Sequence, residues 1–562
     1  MTGKMPAETD NAGVASSPPQ AGAPPVQSSV PLYEGPLVEA LDAESPPPTK
    51  GKHRKTAEGY HKGLSPRHVQ MIAIGGAIGT GLFLASASRL QQAGPSLAII
   101  YALCGLAAFM ILRAMGQLVM YRPSSGSFVT YAREFLGEGA AYTVGWLFFL
   151  NWAMTGIVDI TAVALYIHFW PAFIDIPQWA LALGAMVLVG AINMAGVRYF
   201  GEIEFWLALI KVLAIVTFLG VASWIFGSGH HIDGHAPGLH MIADYGGFFP
   251  HGVGPALWLL QGVVFAYAAT ELIGIAAGEC ENPQEVVPRA VNSVVWRILF
   301  FYVGSIILLV LVLPWSAYQA GTSPFVTFFG KLGVPYADSV MNFVVLTAAL
   351  SSLNSGLYST GRVLRALAIG GSAPHAFARL NRNAVPYVAI LATLAIYVIG
   401  VVLNYFIPSQ VFEIVLSLSS LGILGTWACI ILCQLRLHHE IKKGHIPPTG
   451  FAMPWAPYSG YLTLAFLVLV LGMMAFDFPA GTFTICAIPL LAVIFWVGWK
   501  ILNHFSDDDD DETEEEEDDD DEGTFTTLPP KAVKSPHHHI HKPKMPGSAT
   551  TSPAPKQGQA PS

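Results

Sequence analysis

Ile74-Gly75-Gly76-Ala77-Ile78-Gly79-Thr80-Gly81 sits inside an apolar run extending from about Val69 to Leu90. A run of that length crosses a bilayer, whose ~30 Å hydrocarbon core takes about 20 helical residues. Glycine costs about 1 kcal/mol against alanine in a helix interior, so four glycines in this stretch make a poor straight helix. Lipid offers no partner to a freed amide. Non-helical backbone at that depth must therefore face protein or a water-filled cavity. A break here starts a new helix near Thr80-Gly81. Its unpaired N–H groups and positive dipole end favour an anion such as a carboxylate. The competing reading is close helix packing through small residues. No strand precedes these glycines, which rules out a dinucleotide-binding loop.

The rest of the chain supports a membrane setting. Of its 562 residues, 53% are apolar and only 12% charged, about half the soluble norm of ~25%. Mean hydropathy is +0.49. The net charge of −9 comes from the run Asp507–Glu522; without it Lys and Arg outnumber Asp and Glu. No basic patch interleaves with aromatics, so nucleic acid is not an expected partner. Apolar runs of about 20 residues recur, which predicts an all-α polytopic membrane protein with twelve transmembrane helices. The expected spans are 69–90, 96–118, 142–168, 178–197, 203–226, 255–276, 292–314, 338–366, 386–406, 410–435, 459–477 and 481–502.

Loop charge orients them. Arg122, Arg133, Arg198, Arg289, Arg379, Arg382, Lys442 and Lys443 follow even-numbered spans, while Arg89 and Lys331 follow odd-numbered ones. The positive-inside rule then puts both termini in the cytoplasm. Three regions result: a Pro/Ala/Ser/Gly-rich disordered arm over 1–60, a helical domain over 61–505, and a disordered acidic, His- and Pro-rich tail over 506–562. The first fifty residues have no signal-peptide core, and the basic cluster Lys52, Arg54, Lys55, Lys62 and Arg67 follows as a cytoplasmic flank ahead of the first span.

Span 6 carries a second irregularity, Val263-Val264-Phe265-Ala266-Tyr267-Ala268-Ala269-Thr270-Glu271. An acid within a span costs on the order of 2.5–3.5 kcal/mol at the centre and marks function or a paired site. Spans 1 and 6 each open a block of five and run in opposite senses. That is the pattern of an inverted 5+5 repeat whose broken helices 1 and 6 meet at a binding site. Counted from Pro255, Phe265 lies ~15 Å into a ~30 Å core, and the span-1 break falls at similar depth. Amides at Gly79, Thr80 and Gly81 suit a carboxylate. Carbonyls at Phe265, Ala266, Tyr267 and Ala268 suit an ammonium. An α-amino acid carries both groups.

Ionisable and polar residues recur at depth. In span 5, Glu204 and Lys211 stand two turns apart on one face, with Glu204 near the cytoplasmic end and Lys211 near mid-depth. Desolvation penalises the ammonium form, which suits Lys211 to gaining and losing a proton; a static counter-ion is the other reading. In span 3, Thr155 and Asp159 share a face, fit for a polar solute side chain or for an interhelical hydrogen bond. In span 8, Ser351-Ser352-Leu353-Asn354-Ser355 is polar at mid-depth, with the same two readings. Cys104, Cys280, Cys429, Cys433 and Cys486 form no metal-type pair and read as packing residues. The 227–254 connection holds His230, His231, His235, His240 and His251 and reads as a partly titrating external loop rather than a metal site. No metal or cofactor is expected. Neither His-Glu-x-x-His nor Gly-x-Ser-x-Gly occurs, so the chain is not expected to be an enzyme.

Together these residues resemble the bacterial amino acid permeases of the amino acid–polyamine–organocation superfamily. The matching motifs are Gly76-Ala77-Ile78-Gly79-Thr80-Gly81-Leu82-Phe83, Arg122-Pro123-Ser124-Ser125-Gly126-Ser127-Phe128, Glu204-Phe205-Trp206 with Lys211, Phe265-Ala266-Tyr267, Glu271, Gly278-Glu279 and Asn282-Pro283. They cover about 60–505. Within that family Asn151–Ala164 is similar to the L-asparagine permeases. Relatives for aromatic or basic amino acids tend to carry Glu at the place of Asp159, whereas glycine and D-alanine permeases share Thr-Gly-x-x-Asp.

The resemblance implies a leucine-transporter-like fold and secondary active, proton-coupled import (symport) by alternating access across the bacterial cytoplasmic membrane. It implies substrate contacts at Ile78, Gly79, Thr80, Gly81, Thr155, Asp159, Phe265, Ala266, Tyr267, Ala268, Glu271 and Asn354. It implies proton coupling at Lys211 and Glu204, since in a related branch a span-5 Lys replaces a sodium ion. The implied substrate is L-asparagine or aspartate. A permease or exchanger for glycine, D-alanine or D-serine, or a sensor without net transport, stays open beside it. The implied partners are the amino acid, protons and the lipid bilayer.

Overall fold

The computed structural model describes Met71 and residues 78–124, 127–268, Glu271, Gly274 and 283–517. Residues 72–77, which include Gly75 and Gly76, and the stretch 275–282 with Gly278-Glu279 lie outside the described residues, as do 1–70 and 518–562.

Among the described residues the architecture is helical, with one isolated bridge between Ile232 and His235. In chain order the α-helices are α1 (Thr80–Phe83), α2 (Ala85–Ala93), α3 (Leu97–Tyr121), α4 (Ser127–Leu136), α5 (Glu138–His168), α6 (Gln178–Ala195), α7 (Val197–Ser228), α8 (His240–Asp244) and α9 (Val253–Trp258). They continue with α10 (Leu260–Ala266), α11 (Pro283–Arg297), α12 (Ser305–Val312), α13 (Pro324–Lys331), α14 (Ala337–Ile369), α15 (Tyr387–Phe406), α16 (Val411–Lys442), α17 (Tyr458–Met474) and α18 (Ala480–Glu517). A π-helical turn, Ile298–Gly304, joins α11 to α12.

Nine helices among the described residues are long and apolar enough to cross a membrane, and Val253–Ala266 and Tyr458–Met474 are shorter apolar helices. The first of the nine, Ala85–Tyr121, combines α2 and α3 across a bend at Gly94. Gly94 has φ +59°, and a Cβ there would lie 2.6 Å from Pro250 Cγ, so only glycine suits this corner. The shortness of Val253–Ala266 has the cause foreseen for span 6: the helix stops at Ala266, inside the predicted span.

The helices sort by burial. α5 is apolar on all faces and packs against α14 and α16, as a helix enclosed by others must. The periphery is greasy instead. Val187, Leu188, Trp224, Phe406, Leu462 and Val493 are exposed, a surface that water does not tolerate over many helices. At the far end, α18 runs from Ala480 to Glu517, past the boundary drawn at 505.

Candidate functional site

The chain at Ile78–Gly79 is not helical. Gly79 is extended (φ −135°, ψ −160°), and α1 begins at Thr80 with no side chain capping its amides. The Gly79 carbonyl accepts from Leu82 and Phe83 N–H at 3.2 and 3.1 Å, which closes the first turn. Opposite it, α10 ends at Ala266, with tight turns from Tyr267 N–H to Val264 O (2.9 Å) and from Ala268 N–H to Phe265 O (3.0 Å). The two ends are in contact. A Cβ placed on Gly81 would lie 2.5 Å from Ala266 Cα, so glycine at 81 is what lets the two backbones meet.

A cavity of about 20 Å³ opens where these ends face α5 and α14. Gly79, Thr80, Gly81, Thr155, Phe265, Ala266 and Ala268 line it, all seven expected from the sequence; Trp152 and Ser352 complete it. The polar wall is made of hydroxyls and main chain, with no Lys or Arg among the described lining residues. A cavity of this size holds about one water, so an amino acid needs the walls to part.

The remaining expected contacts stand around the cavity. Asp159 is wholly buried and accepts a 2.8 Å hydrogen bond from Thr80 Oγ1. Ile78 is buried in the apolar core. Tyr267 points away: its hydroxyl donates to Tyr101 O at 2.7 Å and its ring stacks on Tyr302 at 4.5 Å. It braces the break rather than lining it. Tyr302, carried on the π turn, donates to Ala266 O at 2.9 Å and so satisfies a carbonyl that the helix end exposes. Glu271 is buried and accepts from Trp427 Nε1 on α16 at 3.3 Å. Thr155, besides lining the cavity, pairs with Ser419 of α16 at 2.8 Å.

Asn354 does not reach the cavity. Its amide donates to Glu204 Oε2 at 3.4 Å, and its oxygen accepts from Asn193 at 2.9 Å. Glu204 is wholly buried, and its hydrogen-bond partners come from α14. Lys211 is buried too and donates to Ser351 Oγ at 2.8 Å, while the Ser351 hydroxyl donates to Glu204 Oε1. The electrostatic neighbours of Lys211 are Glu204 and Asp159. Adjacent residues of α14 thus serve two places, Ser351 the Lys211–Glu204 pair and Ser352 the cavity. The span-8 serine run signalled both, but which serine faces where depends on helix rotation.

A second groove, about 630 Å³, lies between α5, α16, α17 and α18. Leucine, alanine and aromatic side chains dominate its wall, so it offers a polar solute little. Among the described residues no group of His, Cys, Asp and Glu is placed to hold a metal ion.

The family model for amino acid permeases matches residues 68–510. The L-asparagine permeases of Salmonella typhimurium and Escherichia coli are each 64% identical to this chain over 442 residues, covering 79% of it and 89% of the relative. The L-asparagine permease of Streptomyces coelicolor is 53% identical over 441 residues, covering 78% of this chain and 90% of the relative.

Proposed function

The chain belongs to the amino acid permease family and is a multi-pass membrane protein, and on that premise we propose that it imports L-asparagine by proton-coupled alternating access. The observation that carries the reading is the cavity between the start of α1 and the end of α10. Amides following Gly79 suit the carboxylate of an amino acid, and carbonyls at Phe265–Ala268 suit its ammonium. The carbonyls of Phe265 and Ala266 already accept one hydrogen bond each and keep a second lone pair.

The choice of side chain follows from the wall. Thr80, Thr155 and Ser352 bring hydroxyls, and Asp159 stands behind Thr80. A neutral carboxamide both donates and accepts, so it matches carboxylate plus hydroxyls. A side-chain carboxylate beside Asp159, with no basic residue in the described wall, is repelled. This favours asparagine over aspartate. The L-asparagine permeases at 64% identity support the same substrate.

The working architecture has twelve spans in two inverted blocks of five plus two, with both termini cytoplasmic, and the cavity at mid-membrane. The small cavity corresponds to a closed state, and uptake requires α1 and α10 to move apart. Lys211 and Glu204 carry the coupling proton. Labelled L-asparagine uptake into proteoliposomes, with the twenty amino acids as competitors, tests the substrate. Asparagine and close neutral analogues should compete and aspartate should not. Failure of unlabelled asparagine to compete rejects the substrate; flux without response to a proton gradient rejects the coupling. Binding without net flux returns the sensor reading.

A further inference from the structure

Glu204 and Lys211 lie on one face of α7 but do not form a direct ion pair. One residue of α14 stands between them. Ser351 is wholly buried; its oxygen accepts from Lys211 Nζ at 2.8 Å and its hydrogen goes to Glu204 Oε1. A hydroxyl has one hydrogen and two lone pairs, so it can accept on one side and donate on the other. We propose that the Ser351 hydroxyl is the relay through which the coupling proton passes between Lys211 and Glu204. The proposal rests on the proton-coupled reading above and deepens it.

The step balances without a further reactant. A Lys211 Nζ–H bond breaks as that proton binds Ser351 Oγ. The Ser351 O–H bond breaks as its proton binds Glu204 Oε1. A neutral amine and a neutral carboxylic acid result, serine is regenerated, and nothing is oxidised or reduced. The reverse transfer restores the ion pair.

The surroundings leave this route open and narrow. The charged groups acting on Lys211 are Glu204 on its own helix and Asp159 from α5; Lys211 is the charged group acting on Glu204. The packed faces of α14 and α6 bring neutral polar groups: Ser351, Asn354 and Ser355, and Asn193. Asn354 holds Glu204 Oε2, which leaves Oε1 to the hydroxyl. The far side of Lys211 leads to the substrate. Asp159 feels its charge and is hydrogen-bonded to Thr80, a wall of the cavity. Moving the proton across Ser351 therefore changes the field at Asp159, and with it the polarity that the solute meets.

The test uses the full chain in proteoliposomes and compares two fluxes. One is asparagine accumulation under an imposed proton gradient, read with an internal pH dye. The other is exchange of labelled for unlabelled asparagine without a gradient. Ser351→Ala should lower gradient-driven accumulation about tenfold or more, the scale expected for losing hydrogen bonds to charged groups, and lower exchange by much less. Ser351→Thr keeps the hydroxyl and should recover accumulation and its pH profile. If Ser351→Ala also loses exchange, Ser351→Cys, near in size but a weak hydrogen-bonding partner, replaces it with the same expected split. A Ser351→Ala or Ser351→Cys protein that accumulates asparagine under the gradient as the unaltered chain does overturns the relay. An unaltered chain indifferent to the gradient removes the coupling reading first, and the relay with it.

Discussion

Thr80 Oγ1 donates to Asp159 Oδ1 at 2.8 Å, joining the first turn after the span-1 break to the middle of α5 across 79 positions of sequence. Both groups are buried, and Thr80 itself lines the cavity. The bond turns the threonine hydroxyl into a transmitter of the charge behind it. Hydrogen bonds to a charged group contribute about 1.5–3 kcal/mol, well above neutral ones. Thr80→Val should therefore lower asparagine uptake about tenfold or more, while Thr80→Ser retains it. Uptake kept in Thr80→Val and lost in Thr80→Ser would show that the methyl group, not the hydroxyl, matters.

Asp159→Asn removes the charge and keeps the shape. The barrier against a side-chain carboxylate should fall, so aspartate should begin to compete for uptake while asparagine affinity drops. Competition curves with the two amino acids measure this. A variant whose ranking of asparagine over aspartate is unaltered places selectivity elsewhere in the wall.

Two glycines of the break should respond differently. A methyl at Gly81 meets Ala266 backbone at 2.5 Å, which cannot yield without parting α1 from α10. Gly81→Ala should abolish uptake and destabilise the protein by about 1–3 kcal/mol, the usual range for overpacking. A methyl at Gly79 meets only Ser352, at 3.7 Å. Gly79→Ala should fold with an unchanged unfolding temperature yet bind substrate poorly, because the methyl takes up the small cavity. Thermal unfolding in detergent together with uptake separates the two.

In the middle of α2, Arg89 is buried and bidentate to Glu413 at the start of α16, at 2.9 and 3.0 Å. Glu413 keeps about two-fifths of its side chain exposed (42%), whereas Arg89 has 5%. Removing each partner should therefore cost differently. Glu413→Gln strands a buried guanidinium, a loss that reaches about 3–5 kcal/mol for fully buried pairs and less here because the partner is half wet. Arg89→Met leaves only a carboxylate that water reaches and should cost less. Unfolding temperatures in the opposite order would refute this account of the pair.

Asp233 and Lys331 pair at 2.7 Å on connections outside the spans. The Lys331 ammonium, by hydrogen bond and charge, holds the Asp233 carboxyl below its ordinary value. A depressed acid contributes stability above its unfolded pKa, ~3.9, and loses that contribution as pH falls through the lower folded value. The pair should thus stay closed from pH 5 to 8 and open only in stronger acid. Proteolysis of the 229–252 connection, followed against pH, reads this directly. Cleavage that already accelerates between pH 7 and 5 would overturn this account.

Much was legible in the chain alone, for reasons that act locally. Apolar length, glycine crowding and loop charge depend on neighbours along the sequence. They were enough to foresee a helical membrane protein, a non-helical turn before Thr80 and a helix end at Phe265–Ala268. Spacing on a single helix also put Glu204 and Lys211 on one face. Only the tertiary structure decided which polar groups meet. Helix rotation sends Ser351 to the lysine and Ser352 to the cavity, turns Asn354 and Tyr267 away from it, and adds Trp152 to its wall. The Thr80–Asp159 and Ser351–Glu204 bonds close over 79 and 147 residues. Buried polar atoms must find partners, and in a packed bundle those partners come from other helices, whose mutual rotation no local pattern encodes.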